Sequence, residues 1–197
     1  MKITNVIFTK GVSAFYFDDQ KAIKDGAGHD GFAYTGSART PGFSRIRMPG
    51  EVVSVVLVLE NGQTCFGDCC AVQYSGAGGR DPLFLADEYI PWMEKHLKPE
   101  LLGRDIKKFK TNAEYFDSLK NENGECIHTA IRYGVSQALL QACSLARGVT
   151  AAEIIISEYG LDLVPESVRI FGQTGDDRYI NAEKMIIKQI DVIDRKS

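Results

Sequence analysis

The sequence predicts an α+β fold in which three strands come first and helices follow. Three features carry this reading. β-type runs fill the first sixty to seventy residues, a helical period takes over at Asp81, and a short strand–turn–helix unit comes last.

In the β part, Ile3 to Phe17 mixes β-branched and aromatic residues, and Val52 to Leu59 is a near-continuous aliphatic run. That run stops at Glu60-Asn61-Gly62, a hairpin signal because Asn and Gly both tolerate positive φ. Thr64 to Val72 is the expected return strand, completing a three-stranded antiparallel sheet. Asp18 to Gly42, rich in Gly, Asp and Ser, is long for a plain connection and reads as functional or mobile.

From Asp81 the apolar spacing changes. Asp81 is expected to cap a helix with Pro82 at its first position, and Leu83, Ala86, Ile90, Met93 and Leu97 recur at three- and four-residue steps. Pro91 interrupts this stripe, so it predicts two short helices or one kinked helix. The clearest helix runs from His128 to Arg147, with Ile131, Val135, Ala138, Ala142 and Leu145 on one side and Gly148 as its stop. Thr150-Ala151-Ala152-Glu153 is a capping box for the next helix, which Gly160 ends. Val168 to Phe171 then reads as a strand, Gln173 to Asp177 as a turn, and Asn181 to about Ile190 as a helix. The division falls near Gly160 to Ser167, giving domains 1–160 and 161–197.

Composition narrows the function. The 197 residues are 44% hydrophobic and 25% charged, with a formal net charge of −3. Without clustered Lys and Arg, nucleic acid is not an expected partner. The longest apolar run falls far short of the roughly 20 residues that cross a bilayer, and no signal peptide is visible. A cytoplasmic protein with no membrane partner is therefore expected. The five cysteines lack C-x-x-C spacing and the three histidines are scattered, which favours reduced, partly buried thiols over a metal site.

Three local features invite chemistry. Gln73 to Asp81 is a glycine-rich loop without the Lys-Ser/Thr of a P-loop, so close backbone approach to a ligand or another domain suits it better than a phosphate cradle. His29-Asp30 is either an acid–base pair or, the preferred reading, part of a surface loop held by local hydrogen bonds. Asp176-Asp177 could offer oxygens to a cation, but adjacent carboxylates do not converge on one ion, and stabilisation of a helix N-terminus is favoured.

Several stretches resemble methylaspartate ammonia-lyase, a family of the enolase superfamily. They are Phe15-Tyr16-Phe17-Asp18-Asp19-Gln20, Gly26-Ala27-Gly28-His29-Asp30-Gly31-Phe32, Gly67-Asp68-Cys69 with Ala71 to Phe84, and His128-Thr129-Ala130-Ile131-Arg132-Tyr133-Gly134. Gly175-Asp176-Asp177-Arg178-Tyr179 and Lys184-Met185-Ile186-Ile187-Lys188 continue the likeness, which is nearly collinear from Met1 to about Val192. The resemblance implies an enolase-like N-terminal capping domain followed by the start of a TIM-like barrel. It implies reversible deamination of L-threo-3-methylaspartate to mesaconate and ammonia in glutamate fermentation, with Mg²⁺ as cofactor and a homodimer as the assembly. By the same resemblance Gln173, at the end of the first barrel strand, contacts the substrate, an amide being able to donate to a carboxylate without adding charge. Gln73 matches a position close to the pocket.

The metal carboxylates, the catalytic lysine and an acid–base histidine of the family find no match before Ser197. About 37 residues follow the capping domain, whereas a strand–helix unit takes roughly 30 and a barrel about 250. The expectation is a truncated chain, with one unit of eight, that is inactive alone and whose lone strand leaves apolar surface prone to aggregation. Two other readings stand beside it: a non-catalytic module pairing with a separate barrel chain, and a racemase or dehydratase of the same superfamily, which the motif runs favour less.

Overall fold

The computed structural model describes residues 1–71, 81–164, 166–175 and 177–194. The chain divides into two compact units, Met1–Leu161 and Asp162–Ser197, and each is taken by itself.

The first unit begins with β1 (Ile3–Asp18), a short α1 (Gln20–Lys24) and a small hairpin of β2 (Gly28–Asp30) and β3 (Ala33–Thr35). β4 (Arg47–Leu59) and β5 (Thr64–Cys70) follow, and the main sheet is antiparallel in the order β1-β4-β5. The β4–β5 hairpin forms where expected, but only Gly62 uses positive φ, at +82°. Asn61 instead folds its side chain over the turn, accepting from the Gln63 N–H at 3.1 Å. The loop is therefore four residues, closed by the Leu59 N–H on the Gln63 carbonyl at 2.8 Å.

The long connection after β1 is built rather than loose. Asp19 is fully buried and accepts from the backbone N–H groups of Lys21, Ala22, Arg39 and Thr40 and from the Thr40 hydroxyl. Burial alone would raise its pKa, but the bonds from Thr40, Arg39 and Ala22 together hold it below the usual carboxylate value. One carboxylate thus caps α1 and ties down the returning chain.

Helices then cover the sheet: α2 (Ala86–Trp92), α3 (Lys98–Leu101), α4 (Phe109–Ser118), α5 (Thr129–Arg147) and α6 (Ala151–Tyr159). The helix expected to open at Pro82 behind an Asp81 cap starts four residues later, at Ala86. Its N-terminal acceptor is Glu51 of β4, which takes the Ala86 N–H at 2.7 Å, whereas Asp81 accepts from Thr129 at the start of α5 at 2.9 Å. A short-range cap signal was outcompeted by two long-range acceptors. Pro91 does not split the stripe. It has no N–H to give, and the chain widens into a π-helical turn over Met93–Leu97 before α3. Met93, Leu97 and Leu101, four residues apart, all stay buried.

Helix α5 runs as predicted from the His128 cap to Gly148, which takes φ +65°. Ile131, Val135, Ala138 and Ala142 are buried, but Leu145 is largely exposed. The Thr150–Glu153 capping box and the Gly160 stop of α6 both form.

β5 alternates with period two: Cys65, Gly67 and Cys69 face the core while Phe66, Asp68 and Cys70 face outward. α5 lies on it at unusually short range. A Cβ on Gly67 would sit 2.7 Å from the Ala138 nitrogen, closer still to the Gly134 carbonyl, and one on Gly134 would sit 2.6 Å from the Cys69 sulfur. The same helix satisfies the sheet edge: Gln141 and Gln137, one turn apart, accept from the N–H groups of Phe66 (2.5 Å) and Asp68 (3.2 Å).

In the second unit β6 (Phe171–Gly172), α7 (Arg178–Ile187) and β7 (Val192–Ile193) form a parallel βαβ turn. The strand expected at Val168–Phe171 is displaced to Phe171–Gly172. The Ile170 N–H goes to the Asp191 carboxylate (2.8 Å), and ladder pairing begins only where β7 lies alongside. The helix expected from Asn181 to Ile190 starts and stops three residues earlier, with Gln189 at φ +55° just past its end.

Gly67→Ala is expected to destabilise the first unit by more than about 3 kcal/mol, because the added carbon meets helix backbone that cannot rotate away. Hydrogen exchange should show α5 amides losing protection while α7 amides do not change.

Candidate functional site

The carboxyl ends of parallel strands are where α/β architectures expose ligand-facing groups. In the second unit that edge presents Gln173, one residue beyond β6, with its side chain exposed. The residues around it are locked. Gly172 leaves room for the Met185 sulfur and Ile190, which a Cβ would meet at 2.8 and 3.2 Å. Thr174 is buried and donates its N–H (2.7 Å) and hydroxyl (2.9 Å) to Oδ1 of Asp194, which follows β7. The Asn181 side-chain amide donates to the Thr174 carbonyl at 2.8 Å. A free amide on a clamped loop can donate to an anionic ligand with little ordering cost. The Thr174–Asp194–Asn181 clamp escaped sequence reading, since its parts are up to 20 residues apart and β7 is only two residues long.

Gln73 and most of the glycine-rich loop, with Asp176, lie outside the described residues. Asp177 stands at the start of α7, where its carbonyl accepts from the Asn181 N–H at 2.9 Å. His29 and Asp30 sit exposed on β2, and the His29 ring lies against Tyr34 across the hairpin at 4.5 Å. Neighbours on a strand point to opposite faces, so the two do not form an acid–base pair.

At Asp81 and the start of α5 stands a second constellation that sequence reading missed. His128 is buried. Its Nε2 faces the Pro82 carbonyl at 3.0 Å and its Nδ1 faces the Ala130 N–H at 3.0 Å. A carbonyl only accepts and a backbone N–H only donates, so the ring is the neutral Nε2–H tautomer. Burial lowers its pKa, against smaller raising effects of the Pro82 carbonyl and Asp81. Tyr89 and Phe84 pack on the ring at 5.2 and 5.0 Å. Its partner residues are scattered in sequence, which is why only the start of α5 was legible.

Among the described residues no three His, Cys, Asp or Glu side chains converge as a metal-binding set. Cys65, Cys69 and Cys143 are buried free thiols, and burial pushes Cys65 up to about 11.

An α+β cap with a three-stranded antiparallel sheet, followed by a parallel βαβ turn, is the architecture of the enolase superfamily. Muconate lactonizing enzyme from Pseudomonas putida shares this fold, with a TM-score of 0.55 over 95% of this chain and 41% of that one at 15% identity. The sequence specifies the family: residues 1–160 match methylaspartate ammonia-lyase N-terminus, and the chain belongs to the methylaspartate ammonia-lyase family. It is 58% identical over 193 residues to the enzyme of Citrobacter amalonaticus, covering 98% of this chain and 46% of that protein. The Haloarcula marismortui enzyme is 49% identical over 195 residues, with the same coverage. The crystal structure of the Citrobacter amalonaticus enzyme containing (2S,3S)-3-methylaspartic acid superposes with a TM-score of 0.91 at 58% identity, over 97% of this chain and 46% of that one. The Mg-complex of the Clostridium tetanomorphum enzyme gives 0.90 at 57%, with the same coverage. The chain thus spans about half the length of the curated relatives it matches.

The neutral His128 predicts a pH dependence. Its folded pKa lies below the usual 6.5, so the unfolded chain takes up a proton first and stability, complete above that value, falls as pH drops. In urea unfolding between pH 7 and 5, the slope should exceed that of His128→Gln by at most about 1.4 kcal/mol per pH unit. Equal slopes would show that the ring accepts a proton in place.

Proposed function

We propose that this chain forms the N-terminal part of a methylaspartate ammonia-lyase, a carbon–nitrogen lyase converting L-threo-3-methylaspartate reversibly to mesaconate and ammonia in glutamate fermentation. The observation that carries this reading is the 58% identity over 98% of the chain. Gln173 stands at the end of β6 where a substrate carboxylate would be met. Its role is to donate from the amide and orient the substrate without changing the site's charge. Gln73 is assigned a second substrate contact from the glycine-rich loop. Mg²⁺, named in the description of the Clostridium tetanomorphum structure, is held in this reading by groups other than the described residues. The whole enzyme is taken to be cytoplasmic and homodimeric.

A second reading is a cap that pairs with a separately encoded barrel chain, and one feature of the second unit fits it as well as the first. No residue of α7 is buried, and Phe171, Ile180 and Ile187 are 61%, 58% and 80% exposed. Apolar surface of this kind marks an interface. In both readings its occupant is the remainder of a barrel, in one covalently joined and in the other not.

The 197-residue chain incubated with 3-methylaspartate and Mg²⁺ should yield no mesaconate, and turnover by it alone would sink this account. Joined through residue 193 to the remaining part of the Citrobacter amalonaticus enzyme, it should deaminate 3-methylaspartate. In that chimera Gln173→Ala should lower kcat/KM about 10- to 100-fold, the worth of a hydrogen bond to a charged group. A folded but inactive chimera, or an unaffected Gln173→Ala, would count against the assignment. Activity on mixing the two pieces unjoined would favour the second reading.

A further inference from the structure

The connection between α4 and α5 is a closed turn. Lys120 and Cys126 face each other across an isolated antiparallel bridge, and the residues between them fold back on themselves. The Asn121 N–H donates to the Glu125 carbonyl at 2.8 Å and the Gly124 N–H to the Asn121 carbonyl at 3.0 Å. Oδ1 of Asn121 accepts from the N–H groups of Asn123 (3.0 Å) and Glu125 (2.9 Å). Gly124 takes φ +78°, a conformation in which a side chain is strained. The turn is also tied to the π-helical segment Met93–Leu97, because Glu122 meets Lys95 at 3.3 Å and His96 at 3.1 Å. Set by this frame, the Lys120 ammonium donates to the Cys126 sulfur at 2.9 Å, a close approach for an atom as large as sulfur.

The five cysteines differ in their chemical prospects. Cys65, Cys69 and Cys143 are buried free thiols, and burial raises the pKa of each. Cys70 is exposed, but desolvation and the charge of Asp68 raise its pKa as well. Oxidants attack the thiolate, so these four react slowly. Cys126 is exposed and already has an amine against its sulfur.

We propose that Cys126 and Lys120 are a peroxide-driven cross-linking site, in which the oxidised thiol is captured by the lysine as a sulfenamide. In the first step hydrogen peroxide gives one oxygen to Sγ and leaves as water. Sulfur loses two electrons, the peroxide gains them, and a sulfenic acid results. In the second step the Lys120 ammonium releases a proton to solvent and its Nζ lone pair attacks Sγ. The S–O bond breaks, and the departing hydroxide takes a second proton from Nζ to leave as water. One thiol, one ammonium and one peroxide thus give one S–N bond, two waters and one proton. The capture that a sulfenic acid can find at a backbone nitrogen is here offered by a side-chain amine held at contact, so the step has the advantage of an intramolecular reaction. The bond would clip shut the turn through which Glu122 holds the π-helical segment. The proposal concerns the first unit and does not rest on the ammonia-lyase reading.

The test is a peptide map. The soluble 197-residue chain is treated with hydrogen peroxide, its remaining thiols are blocked with iodoacetamide, and it is digested with trypsin without reductant. Modification of Lys120 prevents cleavage after it, so residues 111–132 should be recovered as one peptide, two hydrogens lighter than the same unmodified stretch. Cys126 is the one cysteine in that peptide, so the loss cannot be a disulfide within it. Dithiothreitol should restore the mass and the cleavage. In urea, where the turn is open, the yield should fall about tenfold or more. Lys120→Arg and Cys126→Ser, both at exposed positions, should give no such peptide, and in Lys120→Arg dimedone should trap the uncaptured sulfenic acid. Normal cleavage after Lys120 in the treated chain, whether Cys126 stays a thiol or proceeds to sulfinic acid, would overturn the proposal. So would an equal dimedone adduct with and without Lys120, or an undiminished yield in urea.

Discussion

The contact on which the first unit depends is the approach of α5 to β5 at Gly67 and Gly134. Neither position tolerates a Cβ, because the atom would meet helix or strand backbone rather than a movable side chain. Glycine inside a helix costs about 1 kcal/mol relative to alanine, and Gly134 bears that cost so that helix and strand can touch. Once α5 is that close, Gln137 and Gln141 come within reach of the outer N–H groups of β5. An edge that would otherwise template aggregation is thereby satisfied from within the same chain. Close packing and edge protection are one arrangement.

The position of α5 propagates through its N-terminus. His128 caps the helix with one ring nitrogen and holds the Pro82 carbonyl with the other, while Asp81 takes the Thr129 N–H. These bonds fix the Asp81–Pro82 segment against the start of α5, and so where α2 can begin. α2 in turn takes its acceptor from Glu51 of β4, which also pairs with Lys10 of β1 at 3.0 Å. The central strand, the edge strand and two helix starts are thus tied through four side chains, each polar group meeting its complement.

What could be read from the sequence was local. The His128–Arg147 helix was legible because its apolar period, its final Arg147 and its Gly148 stop all act within one element. The Thr150–Glu153 capping box was legible for the same reason. Asp81 was misread because a capping residue followed by proline looks alike whether it serves the next helix or one 48 residues away. Gly67 and Gly134 gave no warning, since a lone glycine in a strand or helix has many innocent explanations. The hairpin was foreseen, but not that Asn61 would use its side chain rather than positive φ. At the candidate site only the resemblance singled out Gln173. Nothing in its neighbours announces that Thr174, Asn181 and Asp194 brace the loop, because β7 is too short to show a strand period.

The two units differ in what they leave unsatisfied, and that difference bears on function. The first buries a continuous core that includes Phe17, Phe84 and Phe116, and side chains of α5 accept from the outer N–H groups of β5. The second has a ladder of two residue pairs and a helix with no buried residue. A parallel strand is stable when covered on both faces and paired on both sides, and among the described residues β6 pairs with β7 alone. Yet its loop after β6 is braced by three side-chain hydrogen bonds. Rigidity has been placed under Gln173 where the surrounding surface is least complete, the reverse of what stability alone would arrange. A braced loop that carries one exposed amide keeps that donor in a set place, so little ordering remains to be done when it meets an acceptor.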